Sequence, residues 1–466
     1  MRMNLGGVAA LVVSVLMTLG CSGSAATDGG SGGGSGGGVG GGAGGGAGGG
    51  GGAGGGGGAD AGFTSQLGDG YEGAGSAVRA CGTRLCVAGG VIREVNGTNS
   101  DFLAARFNLD TTRDVSFGDE GVAAVDFDGG LTSGLPFNLD NAWALELDGD
   151  KLVLAGTARA AVGFGSGGFA LARFNADGTP DTTFSGDGVT LLQVGTSSAL
   201  WFQVRRLPSG KYVVSGTIDN GPTRGNDFVV AVYNADGTPD TGFVQPGGAG
   251  FGHIAHFGFT NEQGVGLVVQ STGNFVVGGG SFGVTRFLPT GAIDTSFADA
   301  GLYRGGDGNL DAILERSDGR LWLLGFDSVA NPDGGSTDIQ VLKQQVLSAN
   351  GVADSSFGVG GSLEIPFPLI QVRGAVLEPG DKALLYTDGF PAKLVRLNAD
   401  GSLDTSYGHG GSLDAGVQLP LLPAPVRGPA NRLALSGGRA FLTDYTNLTL
   451  GPSRTVQTFV LKEVPP

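Results

Sequence analysis

The apolar residues of this chain fall in short runs, and the runs are separated by turns rich in Asp, Asn, Ser and Gly. Residues 148–157, DGDKLVLAGT, are typical, because a turn is followed by Leu152, Val153 and Leu154 in succession. A run that is apolar on both faces predicts an inner strand covered from both sides. Residues 169–174, FALARF, contain a polar residue and predict a strand nearer the rim of a sheet. The region shows no convincing 3.6-residue period.

The turns themselves repeat. Residues 174–184 read FNADGTPDTTF, residues 233–243 read YNADGTPDTGF, and residues 397–407 read LNADGSLDTSY. Looser copies lie at 107–117, 287–297 and 347–357. Each copy ends in Asp-x-x-aromatic, which we call the aspartate turn, and the six turns are about 50 to 70 residues apart. They begin at Asp114, Asp181, Asp240, Asp294, Asp354 and Asp404.

A second shared element, a turn followed by an apolar run, precedes each aspartate turn, as in PSGKYVVSGT at 208–217. Each unit therefore predicts two hairpins, or four short strands. Four strands repeated at this spacing indicate a blade of a β-propeller. We predict an all-β fold over residues 60–466: one seven-bladed propeller of four-stranded blades.

The count of seven depends on how the ring closes. The turn-plus-apolar-run element occurs seven times, ending with GGRAFLTDY at 437–445, but the aspartate turn occurs only six times after residue 100. Asp60-Ala-Gly-Phe63 supplies the missing copy at the other end of the chain. We therefore predict that residues from about 60 to 75 complete the last blade and leave no open sheet edge.

The pattern (R)(F/Y)NADG(S/T)xDTSFG, followed by a strand similar to D-G-K-(I/L)-V-V-A-G, resembles the delta-sixty repeat family. This family consists of tandem repeats in secreted or surface proteins of Gram-negative bacteria. The resemblance covers residues 60–466; three copies match closely, whereas those at 287–297 and 347–357 depart from the pattern. It implies a propeller and supplies no established catalytic residues.

Residues 1–21 have the layout of a signal peptide, with one arginine, Arg2, before an apolar stretch too short for a comfortable membrane span. Thr18-Leu19-Gly20-Cys21 resembles a bacterial lipobox, which predicts lipidation of Cys21. Ser22 is not a retention aspartate, so the expected location is the cell envelope, at the outer membrane or cell surface. The alternative is an ordinary secreted protein in which Cys21 is removed or free.

Residues 22–59 are rich in glycine and predict a flexible linker. Such a tether would hold a folded body away from a membrane. Repeat slippage without a selected length explains the same composition.

The other two cysteines, Cys81 and Cys86, flank a predicted hairpin turn. Outside the cytoplasm they are candidates for a disulfide. The alternative is two small buried thiols.

The chain has 27 basic and 43 acidic residues, a formal charge of −16. An acidic body without a basic run disfavours nucleic acid as a partner. No catalytic or phosphate-binding motif is present, and we predict neither cofactor nor metal.

Alternating oxygen ligands at Asn175, Asp177, Thr179 and Asp181 loosely resemble a calcium loop, but no glutamate follows at its twelfth position. Turn chemistry explains these residues better. We expect each aspartate to cap its own turn and each aromatic ring to pack between blades. Recurring arginines are expected to pair with the aspartates, at positions Arg106, Arg173, Arg286 and Arg396.

His253 and His256 offer two metal ligands without an obvious third, and His409 is interpreted as a loop residue. The leading hypothesis is a non-enzymatic, monomeric surface module that binds a protein or polysaccharide and touches the membrane only through its lipid. The alternative is an envelope hydrolase or lyase acting on glycans. Its site would lie at the mouth of the propeller channel, near the insertions 125–141 or 244–262.

Overall fold

The chain divides into two units, Met1–Ala61 and Gly62–Pro466. All described residues belong to the second unit. The computed structural model describes residues 72–92, 99–127, 138–159, 167–192, 198–219, 226–243, 253–255, 264–331, 338–367, 371–389, 391–417, 430–449 and 455–465. The predicted signal peptide, Cys21, the linker and Asp60 therefore lie outside the described residues.

Seven antiparallel sheets follow one another along the chain. Blade 1 contains β1 (Glu72–Cys81), β2 (Arg84–Ile92), β3 (Asn99–Asn108) and β4 (Val122–Val125), with the short β5 (Asn138–Leu139) parallel to β3. Blade 2 contains β6 (Asn141–Asp148), β7 (Lys151–Arg159), β8 (Gly167–Phe174) and β9 (Val189–Leu192). Blade 3 contains β10 (Ser198–Arg206), β11 (Tyr212–Asp219), β12 (Asn226–Tyr233) and β13 (His253–Ala255).

Blade 4 contains β14 (Gly264–Val269), β15 (Phe275–Gly279), β16 (Val284–Phe287) and β17 (Leu302–Tyr303). Blade 5 contains β18 (Asn309–Glu315), β19 (Leu321–Val329), β20 (Ile339–Leu347) and β21 (Ser362–Pro366). Blade 6 contains β22 (Val372–Glu378), β23 (Lys382–Thr387), β24 (Lys393–Leu397) and β25 (Ser412–Asp414). Blade 7 contributes β26 (Leu433–Ser436), β27 (Arg439–Thr449) and β28 (Thr455–Val464) from the described residues.

The apolar core lies between the blades. Seven clusters of buried side chains each join two neighbouring blades, and the cluster of Val78, Leu85, Ala434 and Phe441 joins blade 7 to blade 1. Both faces of every sheet are therefore covered, which explains the apolar runs in the second strands. The structure is a seven-bladed β-propeller, as the repeats predict.

The glycine that ends each apolar run has a steric role. A β-bulge interrupts the pairing of the first and second strands in each of the first six blades. In blade 2 the first strand approaches so closely there that a Cβ on Gly156 would lie 1.9 Å from the carbonyl oxygen of Asn141. Gly89 and Gly325 occupy the same position in their blades, with the same 1.9 Å distance. No larger residue fits without moving the inner strand.

Hydrogen bonds also join the ends of the ring. The amide of Val78 donates to the carbonyl of Asn431 at 2.9 Å, and Arg432 Nη1 donates to the carbonyl of Gly75 at 2.8 Å. Residues 72–75 pair with β2, so the prediction that the closing segment extends to about residue 75 is wrong at that limit. They form the first strand of blade 1 because their partners lie in the adjoining hairpin. Residues 60–71 lie outside the described residues, and closure by them stays a prediction.

We expect deletion of residues 60–71 to lower the melting temperature and promote aggregation, because β28 would then present an unpaired edge. Thermal unfolding and size-exclusion chromatography measure both effects. Deletion of residues 30–41, of equal length within the linker, is the matched control and should change neither. A shortened protein as stable and monomeric as the parent would contradict closure by this segment.

Candidate functional site

The aspartate turns hold their own backbone in place. In blade 2, Asp181 Oδ1 accepts hydrogen bonds from the amide of Thr183 at 3.1 Å and its hydroxyl at 2.7 Å. Asp177 Oδ1 does the same for Thr179, at 2.9 Å and 2.6 Å. Asp177, Thr179 and Asp181, three of the residues weighed as calcium ligands, thus use side-chain oxygens in turn hydrogen bonds. The same pattern of an aspartate bonded to the Ser two residues later recurs at Asp114, Asp294, Asp354 and Asp404.

The second carboxylate oxygen of Asp181 binds two cations. Arg173 Nε, from the third strand, and Lys151 Nζ, from the second, both lie 2.6 Å from Asp181 Oδ2. The expected arginine partners are observed at Asp114, Asp181, Asp294 and Asp404, where the arginines are Arg106, Arg173, Arg286 and Arg396.

The basic residue at the start of the second strand was not assigned a role from the sequence. It binds the aspartate of its own blade in five cases, through Arg84, Lys151, Lys211, Arg320 and Lys382. The signal was present in the chain, because a Lys or Arg recurs just after the hairpin turn. In the blades that contain Asp240 and Asp354, the third strand has valine in place of the arginine. There the basic residue before the second strand, Lys211 or Arg320, forms the ion pair with the aspartate.

The arginines also join one blade to the next. Arg173 Nη1 donates to the carbonyl of Ala235 at 2.5 Å and to Tyr212 Oη at 2.9 Å, both in blade 3. Its guanidinium lies 4.7 Å from the centre of the Phe184 ring. The amide of Ser185 donates to the carbonyl of Asp236 at 2.7 Å, beside the arginine contact. We call this arrangement the blade tie.

Other blades repeat the tie with small changes. Arg106 reaches the carbonyl of Ala176, and Arg286 reaches that of Ala349. In blade 5, Arg316 from the turn before β19 reaches the carbonyl of Ala399 instead. The aromatic rings of the turns pack against the following blade, as expected. The repeated charged residues therefore hold blades together.

These contacts lower the pKa of five turn aspartates, Asp114, Asp181, Asp294, Asp354 and Asp404. Burial alone would raise the pKa of Asp114, but hydrogen bonds from Ser116 and Arg84 and the charge of Arg106 lower it to about 2. Hydrogen bonds from Lys382 and Ser406 lower the pKa of Asp404 to about 2. Every described carboxyl group with a resolved shift has a lowered pKa, which disfavours a role as general acid at neutral pH.

Cys81, at the end of β1, is joined to Cys86 in β2 by a disulfide, with Cα atoms 5.9 Å apart. The bond closes the first hairpin of blade 1. The pair is diagonal across the strands, because Cys81 is opposite Arg84 and Cys86 is opposite Arg79.

Two of the three histidines lie in the described part of the chain, in blades 3 and 6. His253 lies in β13, His256 lies outside the described residues, and the amide of His409 closes a turn onto the carbonyl of Ser412 at 2.8 Å. In the part of the chain that the structure describes, no group of three or more His, Cys, Asp or Glu is placed to hold a metal. Over the same ranges, no helix has the length and apolar character needed to cross a bilayer.

Charged side chains not singled out from the sequence lie on the axis. Register places one residue of each first strand at the same level, opposite the second residue of the apolar run. Four blades have an apolar residue there, and blades 1, 2 and 3 have charged ones. In blade order these seven residues are Arg79, Glu146, Arg205, Val268, Leu314, Val376 and Ala434.

The three charged residues form one cluster, which we call the axial triad. Arg79 Nη2 lies 3.1 Å and Arg205 Nε 3.8 Å from the same oxygen, Glu146 Oε2. Arg79 Nε donates to the carbonyl of Leu145 at 2.8 Å. Burial, followed by the charge of Arg79, lowers the pKa of Arg205 to about 9, with Glu146 acting in the opposite direction. The triad has one more cation than anion.

A cavity of about 300 Å³ adjoins the axial triad. First strands of five blades line it, which places it on the propeller axis. Arg79 and Arg205 contribute to one side, and Val376, Leu433 and Leu435 to an apolar side.

A second charged network lies between blades 6 and 7. Asp444 is fully buried and accepts hydrogen bonds from Arg432 at 2.5 Å and from Tyr386 Oη at 2.8 Å. Arg373 lies 3.7 Å from Asp444 and 3.5 Å from Asp388. Because Arg432 also reaches blade 1, this network stabilises the junction between the first and last blades.

Three stretches of the chain match one family model, described as "Domain of unknown function (DUF5122) beta-propeller". They are residues 150–184, 207–243 and 392–407. The first two run from the second strand of a blade through its aspartate turn. Together with the seven blades, they support a β-propeller repeat family. No curated protein sequence matches the chain.

Solved structures resemble this chain only at low identity and low TM-score. A protein of unknown function from Bacteroides caccae is 12% identical, with 68% of this chain and 90% of that chain covered and a TM-score of 0.38. The Dos1 propeller is 10% identical, with 86% of this chain and 93% of that chain covered and a TM-score of 0.41. The PQQ-bound aldose sugar dehydrogenase from Streptomyces coelicolor is 14% identical, with 69% of this chain and 95% of that chain covered and a TM-score of 0.34. With TM-scores below 0.5, these likenesses carry no argument about this chain.

We expect Arg173→Met to destabilise the protein by about 3 kcal/mol, because it removes one partner from a buried ion pair and a contact to blade 3. Urea unfolding measures the change. The control is Lys393→Met, whose exposed pair with Asp414 should contribute less than about 1 kcal/mol. Equal effects of the two substitutions would show that the blade tie contributes no more than a surface ion pair.

Stability should fall as pH drops from about 4 to about 2. Asp114 and Asp404 have an ordinary pKa of 3.8 that folding lowers to about 2, so the unfolded chain takes up protons first. The stabilisation is complete above the unfolded pKa and is lost as pH falls through the folded one. Urea midpoints across this range test the effect, and Lys382→Met should reduce the slope. A midpoint that stays constant down to pH 2 would be inconsistent with these ionised ties.

Proposed function

We propose that the protein is a non-enzymatic binding or scaffold module, held at the cell surface, that presents loops to a protein or glycan partner. One observation carries the proposal: the repeated charged residues, the strongest candidates for chemistry in the sequence, form ties between blades. Arg173 and Asp181, for example, are buried and bonded to the next blade or to their own turn. The repeated polar residues thus stabilise the ring, and the loops that connect the strands are not part of these contacts.

The topology provides a face for such loops. In each four-stranded blade the second and third strands are joined at one end of the sheet, and the fourth strand leads to the next blade from that same end. The blade ties occupy the opposite end, with the hairpins of the first and second strands. Residues 128–137 follow the fourth strand of blade 1, and residues 256–262 follow the fourth strand of blade 3, so both connect strand ends on the loop face. Both stretches fall within the insertions noted in the sequence.

Surface attachment is part of the proposal. Lipidation of Cys21 and the glycine-rich residues 22–59 would together give a membrane-anchored tether. Such a tether requires no partner for anchoring and leaves the propeller free to bind a ligand outside the membrane.

An envelope enzyme acting on glycans is the alternative. Glycoside hydrolysis ordinarily needs two carboxyl groups across the scissile bond. At the level of the axial triad, Glu146 is the one acidic residue among the seven described first-strand positions, and two arginines flank it. This arrangement favours binding over hydrolysis.

The test uses the chain from residue 21 onward with Cys21→Ser, immobilised and exposed to cell-envelope extract and to purified envelope polysaccharide. We expect saturable capture of one protein or polysaccharide. The matched control replaces residues 128–137 and 256–262 by short Gly-Ser linkers and should lose that capture while retaining the melting temperature. Undiminished capture by the control would exclude these loops, and absence of capture by both would contradict the binding proposal. Release of new reducing ends from the polysaccharide would favour the enzyme.

A further inference from the structure

We propose that the axial cavity binds a small organic carboxylate, with its carboxylate at Arg79 and Arg205 and its apolar body against the apolar lining from blades 6 and 7. The cavity differs in place from the loop face of the proposed function and does not depend on it. The inference starts from the composition of the ring of first-strand residues, which is charged in three successive blades and apolar in four.

The charged side has donors to spare. A guanidinium has five N–H donors, and among the described residues Arg205 donates one hydrogen bond, to the carbonyl of Val204 at 2.8 Å. Glu146 Oε2, at 3.8 Å from Arg205 Nε, is beyond hydrogen-bond distance and serves as a counter-charge. With two cations to one carboxylate among the described residues of the triad, a second carboxylate would balance the charge. Arginine's planar fork suits a carboxylate in particular.

The burial of Arg205 also favours an anionic ligand. The lowered pKa of Arg205 shows that its positive charge is held at a cost, with burial as the main cause and Arg79 as the next. A bound anion would lower that cost. A neutral or cationic ligand would not.

The remaining wall selects for an apolar body. Val376, Leu433 and Leu435, in blades 6 and 7, also line the cavity, together with Ala375 and Ala434. A volume of about 300 Å³ is at the lower end of small-molecule sites, so a compact ligand fits and a nucleotide or oligosaccharide does not. These features together point to a short aliphatic or aromatic acid.

A purely structural role is the competing explanation, since Arg79 and Glu146 also link blades 1 and 2. The other blade junctions weaken it. Blades 4 to 7 pack around the axis with Val268, Leu314, Val376 and Ala434 at this level, so the ring itself requires no ion pair there. The repeated ties already join blades through the aspartate turns.

The experiment is isothermal titration calorimetry of the full chain from residue 21 with Cys21→Ser, using hexanoate as the probe and hexanol as its uncharged analogue. We expect hexanoate to bind and hexanol to bind at least about tenfold more weakly. Arg205→Gln should weaken hexanoate binding by about tenfold or more. Arg206→Gln is the matched control, because it changes the next residue, which pairs with Asp148 outside the cavity, and should leave affinity unchanged.

Ala80→Leu provides a second test that keeps both arginines. Ala80 lines the cavity, so the larger side chain should fill part of it and reduce hexanoate binding even if Arg205→Gln impairs folding. Circular dichroism and the melting temperature establish that each variant is folded. Equal hexanoate affinity in the parent, Arg205→Gln and Ala80→Leu would overturn the assignment, as would equal affinity for hexanol or no binding to the parent. Loop-dependent capture of a partner should persist in Arg205→Gln, which separates this inference from the proposed function.

Discussion

The ring depends on the ion pair between the buried carboxylate of the aspartate turn and a basic side chain. A charge removed from water is costly unless it is paired and fully hydrogen-bonded. Asp181 satisfies both requirements, because one oxygen binds Thr183 and the other binds Arg173 and Lys151. Arg173 also donates to a carbonyl of the next blade. The same arginine therefore pairs with the buried carboxylate and joins two neighbouring blades.

This division of labour leaves the rest of each blade to packing. Seven interblade clusters bury both faces of the sheets, and the junction of blades 7 and 1 uses the same kind of contact as the others. Blade 5 lacks the usual arginine, and Arg316 from a different turn makes the contact to the next blade instead. The contact between these two blades is therefore kept with a different residue.

The axis is under a different constraint. Bulges and glycines bring the first strand close to the second, while the side chains around the cavity are free of the tie chemistry. Three blades have charged residues there and the others do not. That asymmetry gives the axis a polar side and an apolar side, the usual composition of a small-molecule site.

The sequence alone determined the repeat, the four-strand unit, the blade count and the pairing of Arg173 with Asp181, because these depend on local turn chemistry and on residues eight positions apart. It also indicated the hairpin that contains Cys81 and Cys86. It missed Lys151 as a second partner of Asp181, since this contact spans two strands of the blade. The axial triad could not be read from the sequence at all. Arg79, Glu146 and Arg205 lie in different repeats, and they meet only because packing of neighbouring blades and strand register bring three first strands to one level of the axis.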